Sequence, residues 1–294
     1  MQDLRGKRAL VTGAARGIGR RISLRLAQLG AEVIVTDLCL ADAEKVAEEI
    51  RAGGGRAQAD QLDVTDHEAI AALRRRIHDD SGPIEILVNN AGTVFGGAFL
   101  DVPLEKHELT YRVNVLGLMA MTHAFLPDLI AAPEGYIVHI ASASGFIGLP
   151  YGTTYASSKW AVIGFSESIR LELAELGHRH VGVTAVCPSF VDTGLFAGVQ
   201  PPKFTRMLSP QRLTDQIIRA IRRDQPLLLT PWLVHIAPAL SGLIPTRWLD
   251  WVGRAFGAST SMLHWRGHAA SPDQPDAAAE QASSEAARPE HAGK

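Results

Sequence analysis

Cysteine is nearly absent from this sequence. Cys39 and Cys187 are the only two in 294 residues, too few for a disulfide framework and in keeping with a reducing compartment. Metal ligands are missing as a pattern too: eleven histidines are present, yet no Cys/His cluster has metal-ligand spacing, so no metal site is expected. Charge of one sign is lacking as well. Lys and Arg number 29 against 31 Asp and Glu, a formal net charge of −2, which excludes a broad basic surface for DNA or RNA. No apolar h-region precedes the first strand-like run, so no secretory signal is expected and a cytoplasmic location is. The apolar stretch from Pro226 to Ile244 has the length to span a bilayer, but Pro231, Pro238 and Pro245 interrupt it and a spanning helix is rejected.

What is present reads as a soluble globular chain, 46% hydrophobic and 20% charged, with apolar strands alternating with helical stretches. Arg8–Thr12 is a short strand, and Gly13, Arg16, Gly17, Ile18 and Gly19 turn it into a helix running to Leu29. Glycines there allow a tight turn and let a phosphate approach the backbone, while the free N–H groups of the helix start attract its charge. The next strand, Glu32–Thr36, ends at Asp37. A carboxylate about twenty residues beyond such glycines can accept hydrogen bonds from both ribose hydroxyls of an adenosine and repels a 2′-phosphate, which favours NAD over NADP. Arg16 pulls the other way, but Leu38 adds no second cation; the competing reading of Asp37 is a helix N-cap.

A helix over 42–51 stops at the glycines 53–55, and a third strand near 56–59 leads to Asp63 and Val64, placed to hold the edge and face of an adenine. After a helix over 66–79, the strand 84–88 ends in Asn89, Asn90, Ala91 and Gly92. Small residues at a strand's carboxyl end leave room for a cofactor, and Asn90 can tie neighbouring strands through their backbones. The long helical pattern 104–130 contains Asn114, which can cap or kink the helix or fix a water beside Lys159.

The chain is organised around residues 142–159. The strand 136–141 delivers Ser142, and a helix opening near Tyr155 places Lys159 on the same face, four positions on. A nearby ammonium favours the phenolate, so the pair is expected to exchange protons near neutrality, with Ser142 bonding the reacting oxygen. Tyr151 has no lysine four residues on and is assigned to the cleft wall or lid. A further strand, 181–186, leads into a loop from Pro188 to Thr193, whose threonine can reach a nicotinamide carboxamide or the phosphates.

Together Thr12, Gly13, Gly17 and Gly19, then Asp63, Asn89 to Gly92, Asn114, Ser142, Tyr155 with Lys159, and Pro188 through Thr193 resemble the short-chain dehydrogenase/reductase family over residues 5–230. The resemblance implies one Rossmann-like, doubly wound α/β domain with a seven-stranded, mostly parallel sheet. It further implies a catalytic tetrad: Tyr155 as acid/base, Ser142 positioning the carbonyl or hydroxyl, Lys159 lowering the phenol's pKa and binding the nicotinamide ribose, and Asn114 holding a relay water. Homodimers or homotetramers are implied, through the helices holding Asn114 and Tyr155. One departure stands out, Pro188-Ser189 where the family usually has Pro-Gly.

The carboxyl third is expected to hold a cover over the substrate (190–207), a helix capped by Ser209 (210–223) and a last strand (227–230). Four of the five tryptophans, Trp232, Trp248, Trp251 and Trp265, fall in an apolar extension, 231–265, with an amphipathic helix from Thr246 to Phe256. That extension packs on its own subunit or a second one, or walls a pocket for lipophilic substrates, or lies on a membrane surface. Residues 266–294 read as a disordered tail. The expected activity is hydride transfer between NAD(H) and an apolar secondary alcohol, ketone or aldehyde; the alternatives are an NADP(H)-dependent carbonyl reductase of the same fold and a nucleotide-sensing protein without turnover.

Overall fold

The central strands are apolar because helices cover both faces of the sheet they build, whereas the edge strand over 56–61 is polar and only partly buried. In the computed structural model, which describes residues 1–201, 206–235, 245–255, 257 and 260–267, seven strands pair in the order β3-β2-β1-β4-β5-β6-β7. They are β1 (Arg8–Thr12), β2 (Glu32–Asp37), β3 (Arg56–Gln61), β4 (Ile86–Asn89), β5 (Gly135–Ile140), β6 (Val181–Pro188) and β7 (Leu227–Thr230). Every pairing is parallel: Leu10 of β1 stands beside Ile34 of β2 on one side and Leu87 of β4 on the other. The strand order reverses between β1 and β4, and the crevice beyond their carboxyl ends is where a doubly wound sheet takes a ligand.

Helices α1 (Gly17–Gln28), α2 (Leu40–Ala52) and α7 (Pro210–Arg223) cover one face, burying Ile22, Leu26, Val46, Ile217 and Ile221. The other face carries α3 (His67–Asp80), α5 (Leu118–Ala131) and α6 (Thr153–Glu175), with Leu73, Ile77, Met121, Phe125 and Leu129 inside. Each of these large side chains contributes about 1.5–3 kcal/mol by leaving water, which is why β4, β5 and β6 are buried along their whole length.

Residues 104–131 follow one helical axis, as the periodicity predicts, but not one helix type. After α4 (Leu104–Tyr111), Arg112–Gly117 forms a π turn that carries Asn114 before α5 resumes. The rod is long and apolar enough to cross a membrane by length and composition, yet it lies along β4 and β5 with Met121, Phe125 and Leu129 fully buried, the position of a core helix. Ser209 sits at the N-cap of α7 as expected, but its side chain makes no capping bond and Pro210 opens the helix instead.

The amphipathic helix of the extension is present as α8 (Thr246–Ala255), with Trp248 and Trp251 about two-thirds exposed at 64% and 65%. Residues 202–205 of the expected cover, 236–244 of the apolar stretch, Phe256 and the expected tail from 268 onward lie outside the described residues. Both cysteines are free, Cys39 exposed and Cys187 buried.

Candidate active site

One cavity of about 370 Å³ runs across the carboxyl ends of β1, β2, β4, β5 and β6. Every residue assigned to nucleotide binding from the sequence, apart from Gly19, lines it: Gly13, Arg16, Gly17, Ile18, Asp37, Asp63, Val64, Asn90, Ala91, Gly92, Tyr155, Lys159, Pro188 and Thr193. Gly19 lies beneath the turn. A methyl group there would strike the Gly13 carbonyl and the Asn90 amide, so the first helical turn packs on β4 only because nothing projects from it. The Asn90 side chain donates to the carbonyls of Thr12 (2.9 Å) and Gly13 (2.8 Å), tying the end of β1 to the end of β4 as the sequence suggests.

Helix α1 begins without a side-chain cap and without an acidic residue in its first turn. Its free N–H groups therefore face the glycine turn with their partial positive charge unanswered by the chain, a cradle suited to a pyrophosphate. Thr193 closes it from the far side: a methyl on Gly17 would lie 3.2 Å from Thr193 Cβ. At the end of β2 the Asp37 carboxylate accepts from Ala15 N at 3.0 Å. It does not cap α2, whose N-cap is Cys39, so the competing N-cap reading fails. Asp63 accepts from both the amide and the hydroxyl of Thr65 at 2.8 Å, and Val64 packs over Gly117 of the π turn. Ser189 Oγ, at the wall of the cavity, is buried and has no hydrogen-bond partner. A glycine-lined cradle, an acidic residue at the ribose position and an orphaned hydroxyl fit a bound dinucleotide.

At the other end of the cavity α6 starts at Thr153, so Tyr155 and Lys159 both lie in its first two turns, 6% and 5% exposed. Lys159 Nζ donates to Ile140 O at 2.8 Å and lies 5.6 Å from the centre of the Tyr155 ring. Ser142, at the end of β5, lines the same cavity as Tyr155 and accepts from the amide of Ser144 at 3.2 Å and its hydroxyl at 3.0 Å. Asn114 is buried behind the cavity lining rather than in it. Its amide bridges Thr93 N (2.8 Å), Thr93 O (2.9 Å) and Ser158 Oγ (3.0 Å), so the π turn, the loop after β4 and α6 meet at one side chain. A methyl on Gly92 would stand 3.3 Å from Asn114 Oδ1 and 3.7 Å from Lys159 Nζ, which shows how closely those groups surround one point. The structure thus brings Asn114, Ser142, Tyr155 and Lys159 together. Tyr151, expected at the cleft wall or lid, is not among the residues lining the cavity; it packs against the apolar cluster of Val94, Leu149, Tyr155, Ala156, Phe196 and Met262.

The electrostatics depart from the sequence expectation in one respect. Burial pushes the Tyr155 phenol up to about 12, although the neighbouring Ser142 hydroxyl lowers it, and burial brings the Lys159 ammonium down to about 8. The sequence reading weighed the cation and not the loss of water, which opposes charge on both groups. Sequence reasoning also missed residues that complete the cavity wall: Thr93, Leu109, Val113, Leu195 and Phe196, the last edge-on to Tyr155. No pattern singles them out, since each reaches the cavity only through the fold.

The short chain dehydrogenase family model matches residues 7–203. The chain is 32% identical over 249 residues to the human epidermal retinol dehydrogenase 2, covering 84% of this chain and 81% of that protein. It is 30% identical to the rat estradiol 17-beta-dehydrogenase 11, covering 85% and 83% of the two chains. A solved short-chain type dehydrogenase/reductase from Mycobacterium marinum superposes with a TM-score of 0.71 at 30% identity, over 77% of this chain and 94% of that one. The fold is shared also with a short chain dehydrogenase/reductase from Burkholderia phymatum solved in complex with NAD, at a TM-score of 0.75 and 23% identity, over 86% and 97%.

Proposed function

Because this chain belongs to the short-chain dehydrogenase/reductase family, NAD(P)-dependent oxidoreductases acting on CH–OH donors, we propose that it is an NAD(H)-dependent dehydrogenase or reductase of hydrophobic secondary alcohols, ketones or aldehydes. The observation that carries this reading is the single cavity with Asp37 at one end and Tyr155 beside Lys159 at the other. Gly13, Gly17 and the start of α1 would hold the pyrophosphate, Asp37 the adenosine ribose, and Asp63 and Val64 the adenine. Bound there, the dinucleotide supplies or accepts the hydride.

The chain's own part is positioning and proton transfer. Ser142 orients the substrate oxygen toward Tyr155, whose phenol gives its proton to the oxygen in reduction and takes it back in oxidation. Lys159 binds the nicotinamide ribose and, while charged, favours the phenolate and so lowers the phenol from its buried value. Asn114 holds a relay water beside Lys159. Leu109, Val113, Leu195 and Phe196 exclude bulk water and supply an apolar wall, and relatives named for retinol and estradiol support a lipophilic substrate. The exposed Leu116 and Trp160, each 52% accessible on the helices that carry Asn114 and Tyr155, support a homodimer or homotetramer through those helices. The compartment we favour is the cytoplasm, with peripheral membrane contact through the exposed Trp248 and Trp251 of α8.

The deciding experiment is a screen of NADH oxidation over hydrophobic ketones and aldehydes, with Tyr155→Phe beside the wild type. Turnover that vanishes in Tyr155→Phe while NADH binding persists is the expected result. A variant keeping more than a few per cent of kcat would overturn the mechanism; tight NADH binding without turnover on any carbonyl would make the protein a nucleotide sensor.

A further inference from the structure

Residues 260–266 lie far beyond the span matched by the family model, which ends at 203, yet they return to the catalytic end of the sheet. We propose that this strap sets the size of substrate admitted to Tyr155, with Met262 and Trp265 as its specificity-determining residues. The proposal rests on the oxidoreductase reading above and adds to it the element that shapes the site.

Three hydrogen bonds fasten the strap to the cover that follows β6. Gln200 N donates to Ser261 O at 3.2 Å, Arg266 N to Ala197 O at 3.0 Å, and Trp265 Nε1 to Leu195 O at 3.2 Å. Between them Met262, 1% exposed, enters the apolar cluster of Val94, Leu149, Tyr155, Ala156 and Phe196. On the far side the Trp265 ring meets Phe95 edge-on at 6.5 Å. Two glycines admit the strap: a methyl on Gly96 would lie 2.9 Å from Trp265 Cβ, and one on Gly198 would collide with His264 O. Gly198 also has φ +82°, a conformation open to glycine and strained for other residues.

The consequence falls on Phe196. Its ring stands edge-on to Tyr155 at 5.7 Å and to Phe190 at 5.2 Å, so it covers the phenol that a carbonyl must reach. The residues on either side of it, Leu195 and Ala197, are both held by the strap. How far Phe196 stands from Tyr155 is therefore decided by the fit of Met262 and Trp265. Removing the indole takes away a ring's volume and the bond to Leu195 O together, and the slot beside Phe196 widens toward bulkier substrates. In an apolar pocket a single methylene changes discrimination by about 10–200-fold, so an indole is more than enough to reset it.

The test uses the full chain as wild type, Trp265→Ala, Trp265→Phe and Met262→Ala. Reduction of cyclohexanone and of a four-ring steroid ketone by NADH is measured with each, together with backbone hydrogen exchange over 195–200. Trp265→Ala should raise the ratio of kcat/KM, steroid over cyclohexanone, by about tenfold or more, and speed exchange across 195–200 by about tenfold. Trp265→Phe, which keeps a ring against Phe95 but cannot donate to Leu195 O, should fall between, and it and Met262→Ala carry the test should Trp265→Ala not fold. An unchanged ratio with turnover intact, or unchanged exchange, overturns the strap and leaves the oxidoreductase reading standing. Absence of turnover in the wild type with every ketone sinks both.

Discussion

The Lys159 ammonium lies 5.6 Å from the centre of the Tyr155 ring, and burial moves the two groups apart on the pH scale, the phenol up to about 12 and the ammonium down to about 8. As pH rises through about 8 the cation is lost, and with it the charge that favours the phenolate. Reduction by NADH should accordingly fall on the alkaline side with a limb near pH 8. In Lys159→Met that limb should be absent and kcat at pH 7 about 100-fold lower, within the usual range for acid–base catalysis. Profiles of kcat between pH 6 and 10 for both proteins check this; a limb that survives the substitution assigns it to another group.

Cofactor choice should follow the carboxylate at the end of β2. Asp37 accepts from Ala15 N, and Leu38 beside it is 64% exposed and uncharged. With hydrogen bonds to a charged group worth roughly 1.5–3 kcal/mol, Asp37→Ala should lower kcat/KM for NAD by about tenfold or more and raise that for NADP. Initial rates with both cofactors decide it, and equal losses for the two would refute the assignment.

Asn90 should matter to stability as much as to binding. Its amide satisfies the carbonyls of Thr12 and Gly13, and Asn90→Ala leaves both without that donor at a cost of roughly 1–3 kcal/mol. Urea unfolding should show the loss, and titration with NADH should show weaker binding because the glycine turn loses its anchor. Wild-type stability in the variant would mean that water replaces the amide.

A buried polar chain below the site predicts an acid sensitivity. His139, fully buried, sits between Thr122 Oγ1 (3.2 Å) and Ser166 Oγ (2.8 Å), and burial holds it down to about 3. The unfolded chain binds a proton at the ordinary value near 6.5 and the folded chain does not, so stability falls as pH drops below about 6.5 and stops falling near 3. The slope is about 1.4 kcal/mol per pH unit for this one group. Urea midpoints at pH 7.5, 6 and 5 should drop in the wild type and drop less steeply in His139→Asn; parallel slopes would show that other groups dominate.

Much of this protein was legible in its sequence because local chemistry restricts what certain residues can do. Glycines before a helix, Asp37 after a strand and a tyrosine four residues ahead of a lysine are short-range patterns, and the backbone places each without help from distant parts of the chain. Strand and helix order followed from periodicity in the same way. Long-range encounters were not legible. The π turn that aims Asn114 at Thr93 and Ser158 has no sequence signature in a helix already called helical, and the opposed displacement of Tyr155 and Lys159 arises from exclusion of water by neighbours far away in the chain. The same holds for Met262, which meets Tyr155 across 107 residues of chain, and for Trp265, which meets Leu195 across 70, where only packing decides who touches whom.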